Sequence, residues 1–307
     1  MSTPAELVVD ARCGTGESPV WSAAEQALFW VDIPARALHR WSADGHVQWR
    51  GAEMLACIAP RADAPGQWIA GMESGVFSIE PKADGQLAAT PRAAVAHAAP
   101  GMRFNDGRCD RQGRFVAGTM LLDMAAGARV GRVYGHAQGD DGLRLLIDDL
   151  IVPNGLAFSP DGRTMYLSDS HPSAQTIWAF DYDTASGTPS NRRVFVDMNP
   201  LPGRPDGAAI DADGCYWICG NDAGLVHRCT PDGKLDRSLA VPVKKPAMCA
   251  FGGPKLDTLF VTSIRPGGID LADQPLAGGV FALRPGTQGI DEPAFANSTR
   301  SVHSTRS

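Results

Sequence analysis

The chain has 307 residues, 44% of them hydrophobic, with 34 glycines, 23 prolines and a formal net charge of −6. An acidic balance without any run of Lys or Arg excludes nucleic acid and anionic membrane surfaces as expected partners, and leaves small neutral or weakly charged ligands. No apolar run approaches the roughly 18 residues that span a bilayer, so no membrane segment is expected. The N-terminus, MSTPAELVVD, lacks the basic and apolar regions of a signal peptide, which makes the cytoplasm the expected location. Seven scattered cysteines without a Cys-x-x-Cys pair indicate neither a disulfide framework nor a structural zinc cluster. Cys215 and Cys219 are expected to be buried thiols that pack as small hydrophobes.

In chain order, residues 6–11 (ELVVDA) read as an isolated strand. Six modules follow, each carrying an apolar strand that ends in a small or acidic residue: FWVD at 29–32, WIAG at 68–71, FVAG at 115–118, MYLSD at 165–169, YWICG at 216–220 and LFVTS at 259–263. These strands recur about every 40 to 50 residues, the period of a four-stranded propeller blade. The stretch LIVPNGLAFSPDGRTMYLSDS (150–170) is the clearest rung: a short strand, a Ser159-Pro160-Asp161-Gly162 turn of type I composition and a returning strand. ALHRWSADG, GVFSIEPKADG, TIWAFDYDTASG and LVHRCTPDG supply third strands, and helical periodicity is absent. The expected fold is therefore all-β, a six-bladed β-propeller of four-stranded blades spanning residues 1–294 as one domain. The last module lacks a convincing fourth strand after GVFALRP (279–285), and the strand at 6–11 is expected to supply it and close the ring. Residues 295–307 (FANSTRSVHSTRS) read as a disordered tail. The sequence gives no signal of oligomeric state.

Polar residues recur in register with the turns. Asn154, Asn105 and Asp206 each stand eight residues before a turn glycine (Gly162, Gly113 and Gly214), and Glu17 precedes Leu28 by eleven residues as Asn154 precedes Met165. In a propeller the innermost strands line the central channel, so equivalent positions converge on one point. The six equivalents read as Glu17, Ile58, Asn105, Asn154, Asp206 and either Met248 or Cys249, giving a channel mouth with one polar side. Two carboxylates and two carboxamides suit a hard or borderline divalent cation: Ca, Zn, Mg, Mn or Fe(II). The competing reading is that Asn-Asp-Gly, Pro-Asn-Gly and Pro-Asp-Gly are merely turns, where Asn and Asp are common for local reasons. Four in register, with Glu17 outside any Asx-Gly pair, favour the site. His171 is assigned to a loop, and no Gly-x-Ser-x-Gly elbow, phosphate loop or His-Glu-x-x-His is present.

GESPVW from Gly16, MRFNDG from Met102, AGTM from Ala117, PNGLAFSPDG from Pro153, SNRR from Ser190, RPDGAAIDADG from Arg204 and FGG from Phe251 closely resemble the SMP-30/gluconolactonase family, also called regucalcin-like, in collinear order from about residue 6 to residue 290. The resemblance implies a six-bladed propeller with one divalent metal in its channel that hydrolyses sugar lactones. By motif it places metal ligands on Glu17, Asn154 and Asp206, and substrate contacts on Arg103 and Asn105. Asp123 in GTMLLD stands near the place of a glutamate common in the family, so it is expected to touch the sugar. Asp206 is expected to serve as both ligand and general base, acting on a sugar lactone as the small-molecule partner. The alternatives are a related metal-dependent arylesterase or phosphotriesterase, and a non-catalytic, metal-binding regulatory propeller.

Overall fold

The computed structural model describes residues 4–296. Its strands form six four-stranded antiparallel sheets, and among the described residues only Met124–Ala126 forms a helical turn. We number the blades by sequence: blade 1 covers residues 16–50, blade 2 55–94, blade 3 102–150, blade 4 153–197, blade 5 204–240 and blade 6 246–283. In blades 1 to 5 the strands lie in simple up-and-down order. In blade 6 the outermost place goes to Glu6–Val9, which pairs antiparallel with Val280–Leu283. The N-terminal strand thus closes the ring as the sequence suggests, and hydrogen bonds link the beginning of the chain to its last blade.

The second strands fall where their apolar runs stand: Ala27–Asp32, Trp68–Met72, Phe115–Leu121, Thr164–Asp169, Tyr216–Asn221 and Thr258–Ser263. They are almost wholly buried, because a blade packs against a neighbour on both faces; such strands therefore read as continuous apolar runs rather than as alternation. Aromatic pairs seal the contacts between blades. Phe29 meets Trp68 across blades 1 and 2 with ring centroids 4.5 Å apart, Tyr166 meets Tyr216 across blades 4 and 5 at 5.2 Å, and Trp21 stacks on Phe260 across blades 1 and 6 at 5.7 Å. Each such pair adds about 0.5–1.5 kcal/mol beyond its burial. All seven cysteines are free and buried, in keeping with their reading as packing residues.

The ordered chain runs past the boundary expected at residue 294. After blade 6 it crosses the lower face: Ala212 N–H donates to Gln288 O at 2.8 Å, Arg108 pairs with Glu292 at 3.0 Å, Phe295 N–H donates to Pro60 O at 2.7 Å and Ala296 N–H donates to Gly113 O at 3.1 Å. Phe295 is buried in the core shared by blades 1 to 3 and stacks on His136. Phe295 and Ala296, the first two residues of the segment read as a tail, are thus held by backbone hydrogen bonds and by burial of the Phe295 ring. The remainder of that tail, 297–307, lies outside the described residues.

Candidate functional site

The inner strands are Gly16–Ser22, Leu55–Pro60, Met102–Cys109, Pro153–Phe158, Arg204–Ile210 and Pro246–Gly252. In every blade the pairing of this strand with its neighbour slips near the upper end of the channel: between Glu17 and Val20, Leu55 and Cys57, Phe104 and Gly107, Asn154 and Ala157, Pro205 and Ala208, and Pro246 and Cys249. A bulge inserts a residue without a ladder partner and re-aims its neighbours. Glu17 and Asn154 are the last paired residues before their slips, whereas Asn105 and Asp206 lie within theirs. The polar positions are thus neighbouring levels of one ring rather than a single level.

Asn154-Gly155 is a bulge inside a strand and not a turn. Gly155 has φ +60°, and a Cβ there would collide with the hydroxyl of Tyr216. That hydroxyl donates to Gly155 O at 2.7 Å. Glycine is required here both for its left-handed backbone and for the space.

Glu17, Arg103, Asn105, Asn154 and Asp206 line one cavity of about 270 Å³, together with Ser170, Arg204, Asn221, Lys245 and Met124 among others. Five residues read from sequence therefore meet, although they come from four blades. Asp123 does not join them. It is exposed on the turn before the short helix, and its neighbour Met124 lines the cavity instead. The apolar equivalents also move: Ile58, Met248 and Cys249 line a separate, narrow void lower in the channel, with Val20, Arg108 and Glu292. Ile58 and Cys249 stand beyond the slips of their strands, regularly paired with Ala70 and Val261, as Val20 is with Phe29. The channel is thus polar above and apolar below, rather than divided into polar and apolar sides. His171 is held in a loop by Ser173 and Met124, as expected.

Hydrogen bonds fix which atoms face the cavity. Arg103 Nη1 donates to Asn105 Oδ1 at 2.8 Å, and Asn105 Nδ2 donates to Asn154 Oδ1 at 3.1 Å, so the two carboxamides touch across 49 residues of sequence. Ser170 Oγ accepts from Asn154 Nδ2 at 3.1 Å, and Asn221 Nδ2 donates to Asp206 Oδ2 at 2.6 Å. Ser170 and Asn221 hold the nitrogen of one group and one oxygen of the other, and Asp206 Oδ1 receives no side-chain donor among the described residues. No marker in the sequence isolates Ser170, Arg204 or Lys245. Asn221 had one: it ends a second strand, where Asp32 and Asp169 stand in blades 1 and 4.

The two carboxylates are buried, Glu17 8% and Asp206 7% exposed. Burial, then the nearby charges of Asp206 and Asp106, push the Glu17 carboxyl well above its usual range, with Arg103 acting against them. Burial pushes Asp206 up to about 7, opposed by the hydrogen bond from Asn221. Burial also pulls the Arg103 guanidinium down to about 10, against the attraction of Glu17. Two buried like charges facing one another are costly unless a cation joins them. An all-oxygen donor set of two carboxylates and a carboxamide fits a divalent ion of the calcium, magnesium or manganese type, with zinc or iron(II) also accommodated.

A second cluster, Cys13, Asp32 and His39, brings its potential donor atoms within 4.8 Å of one another in blade 1. Its atoms are engaged apart from His39 Nε2, which is buried without a partner among the described residues. Both Asp32 oxygens accept backbone N–H groups of Gly14 and Thr15 at 3.0 Å, Cys13 Sγ accepts from Trp30 at 3.4 Å, and His39 Nδ1 lies 2.9 Å from His46 Nε2. Asp169 anchors Ile151 and Val152 in blade 4 in the same way. Asp32 is thus a loop anchor, and none of the three residues lines the cavity.

Residues 15–265 match the family described as the SMP-30/Gluconolactonase/LRE-like region. The chain is 39% identical to a 6-deoxy-6-sulfogluconolactonase of Pseudomonas putida, covering 96% of this chain and 100% of that one. It is 35% identical to regucalcin of Danio rerio, over 94% of this chain and 97% of the relative. Among solved structures, a calcium-binding regucalcin from Agrobacterium tumefaciens superposes with a TM-score of 0.85 at 29% identity, covering 94% of this chain and 96% of that one.

Proposed function

The chain belongs to the SMP-30/gluconolactonase/LRE-like family, and from that premise we propose that it hydrolyses a sugar lactone to the aldonic acid with the help of one divalent cation. The observation that carries the reading is the convergence of Glu17, Asn154 and Asp206 on one cavity that Arg103 and Asn105 also line. The relatives named as lactonase and as calcium-binding protein support the substrate class and the cation respectively.

Glu17, Asn154 and Asp206 would hold the ion through their oxygens. When bound, it supplies Lewis-acid polarisation of the lactone carbonyl and a lowered pKa for water. Asp206 takes the proton of the attacking water on Oδ1, while Asn221 keeps Oδ2 in place. The water oxygen bonds to the carbonyl carbon, the ring C–O bond breaks, and the proton passes to the departing ring oxygen, leaving a free hydroxyl and a carboxylic acid that ionises by releasing the water's second proton to solvent. Arg103 has no carboxylate in salt-bridge contact among the described residues; it donates to neutral oxygens of Phe104 and Asn105. Its positive charge is thus available for the oxyanion and for the carboxylate product. Polar donors on the walls favour a polyhydroxylated ring over an aryl ester.

The test is hydrolysis of a panel of five- and six-membered aldonolactones, followed by pH indicator, with metal stripped and then restored one ion at a time. Turnover is expected only with a divalent cation present. Undiminished activity after exhaustive chelation would remove the cation from the proposal, and no activity on any lactone would remove the reaction.

A further inference from the structure

Loop anchoring accounts for Asp32 but not for the two residues beside it. Blade 4 holds the same anchor: Asp169 takes the N–H groups of Ile151 and Val152 as Asp32 takes those of Gly14 and Thr15. The residue before those two donors is Leu150 in blade 4 and Cys13 in blade 1. On the third strand the matching residue is Trp178, paired with Leu167, in blade 4, and His39, paired with Trp30, in blade 1. An anchoring aspartate therefore needs neither a thiol nor an imidazole next to it.

In blade 1 a sulfur, a carboxylate oxygen and a ring nitrogen lie within 4.8 Å of one another. Cys13, Asp32 and His39 are only 1%, 7% and 3% exposed. Donor atoms on one tetrahedral zinc ion stand about 3.3–3.8 Å apart, given bonds of about 2.0–2.3 Å, so small changes of side-chain torsion would bring the three into range. His39 Nε2 has no hydrogen-bond partner among the described residues, a costly state for a buried polar atom.

The contacts already made leave each residue a position for an ion, and they are of the kind that orients metal ligands. The Trp30 indole N–H donates to Cys13 Sγ at 3.4 Å, and the sulfur keeps further lone pairs. Each Asp32 oxygen accepts one N–H and retains a second lone pair. His39 Nδ1 lies 2.9 Å from His46 Nε2, which fixes the ring and leaves Nε2 as the free nitrogen. Burial pulls the His39 ring down to about 3, so it is neutral, as a ligand must be.

We propose that Cys13, Asp32 and His39 bind a borderline cation of the zinc type, as a structural site separate from the cavity. A set of sulfur, nitrogen and oxygen suits such an ion, whereas the all-oxygen cavity suits calcium or magnesium. Binding displaces the thiol proton of Cys13, and the dication offsets the charges of the thiolate and the carboxylate. Its place in the ring gives the site a role. Cys13 N–H donates to Gly278 O at 2.9 Å, and Cys13 O accepts from Arg265 N–H at 3.0 Å. Cys13 thus belongs to the connector between the closing strand Glu6–Val9 and blade 1. The ion would join that connector to the second and third strands of blade 1 and fasten the ring at its seam, whether or not the chain is a lactonase.

The experiment adds cobalt(II), and then zinc(II), to the chelator-stripped full chain with excess calcium present. Cobalt is expected to give a thiolate-to-metal charge-transfer band in the near ultraviolet that saturates at one ion per chain, and zinc to bleach it; oxygen ligands in the cavity cannot produce that band. Zinc should also raise the melting temperature in the presence of calcium. Cys13→Ser should abolish the band. His46→Ala, which removes an exposed residue and keeps all three ligands, should weaken zinc binding about 10- to 100-fold, and it decides the matter if Cys13→Ser does not fold. Asp206→Ala should keep the band and the stabilisation by zinc. Absence of the band, a band that survives in Cys13→Ser, or zinc affinity that Asp206→Ala removes and His46→Ala leaves unchanged would overturn the site.

Discussion

Two aspartates five residues apart, Asp206 and Asp211, stand at opposite ends of one inner strand and behave as opposites. Asp211 is wholly buried and its carboxylate accepts four hydrogen bonds, from the backbone of Asp213 and Cys215 and from the side chains of Trp217 and Arg228 at 2.8–3.0 Å. Asp110 repeats the arrangement in blade 3 with Gln112, Arg114 and Tyr182. Asp206 receives one side-chain donor, faces another buried carboxylate, and is pushed up to about 7 chiefly by burial. A carboxylate whose lone pairs are all used locks a turn. One left short of partners at a cavity wall is available to a ligand, and the molecule pays for it in stability.

The comparison can be broken at either end. The largest effect is expected from Asp206→Ala, which should lower lactone turnover by about 10³-fold or more, near 4 kcal/mol in barrier, while the melting temperature holds; near-normal rates would end the general-base role. Asp211→Ala should do the reverse. Leaving the Trp217 indole N–H and the backbone N–H groups of Asp213 and Cys215 without their acceptor costs about 1–3 kcal/mol for each buried donor left unpaired, visible as a lower melting temperature by calorimetry, with kcat of the surviving protein close to that of the parent. Arg103→Ala should reduce kcat/KM by about 10- to 100-fold, the scale of lost hydrogen bonds to an ionised group, with cation affinity by titration calorimetry retained; parallel loss of the cation would make Arg103 part of its support.

The smallest effect concerns Glu17, whose raised pKa favours the folded state only while the carboxyl is protonated. This contribution is present below the ordinary carboxylate range and is lost as pH rises through the folded-state value. Glu17→Gln should therefore melt higher than the parent in chelator at pH 8, with the gap closing towards pH 4. Saturating cation should reverse the order at pH 8, and an equal gap at both pH values would place the strain elsewhere.

Most of the architecture was legible because hairpin turns and buried strands leave local signals: every second strand and the closing N-terminal strand lie where the runs stand. Glu17, Asn154 and Asp206 were legible because a repeat turns sequence spacing into spatial proximity. The levels of Ile58, Met248 and Cys249 were not, since they depend on where each strand's register slips, and distance from the turns does not encode that. Arg204, Lys245 and Ser170 escaped notice for a related reason: they come from strand starts and strand ends, where no repeated residue type marks them. Phe295 escaped because a single aromatic residue in a polar stretch has no periodicity.

The segment that crosses the lower face has a kinetic corollary. Glu292 and Pro293 line the narrow lower void, so this segment constricts the channel from below and favours the Glu17 side as the route in and out. Product leaving by that route should then slow turnover as it accumulates.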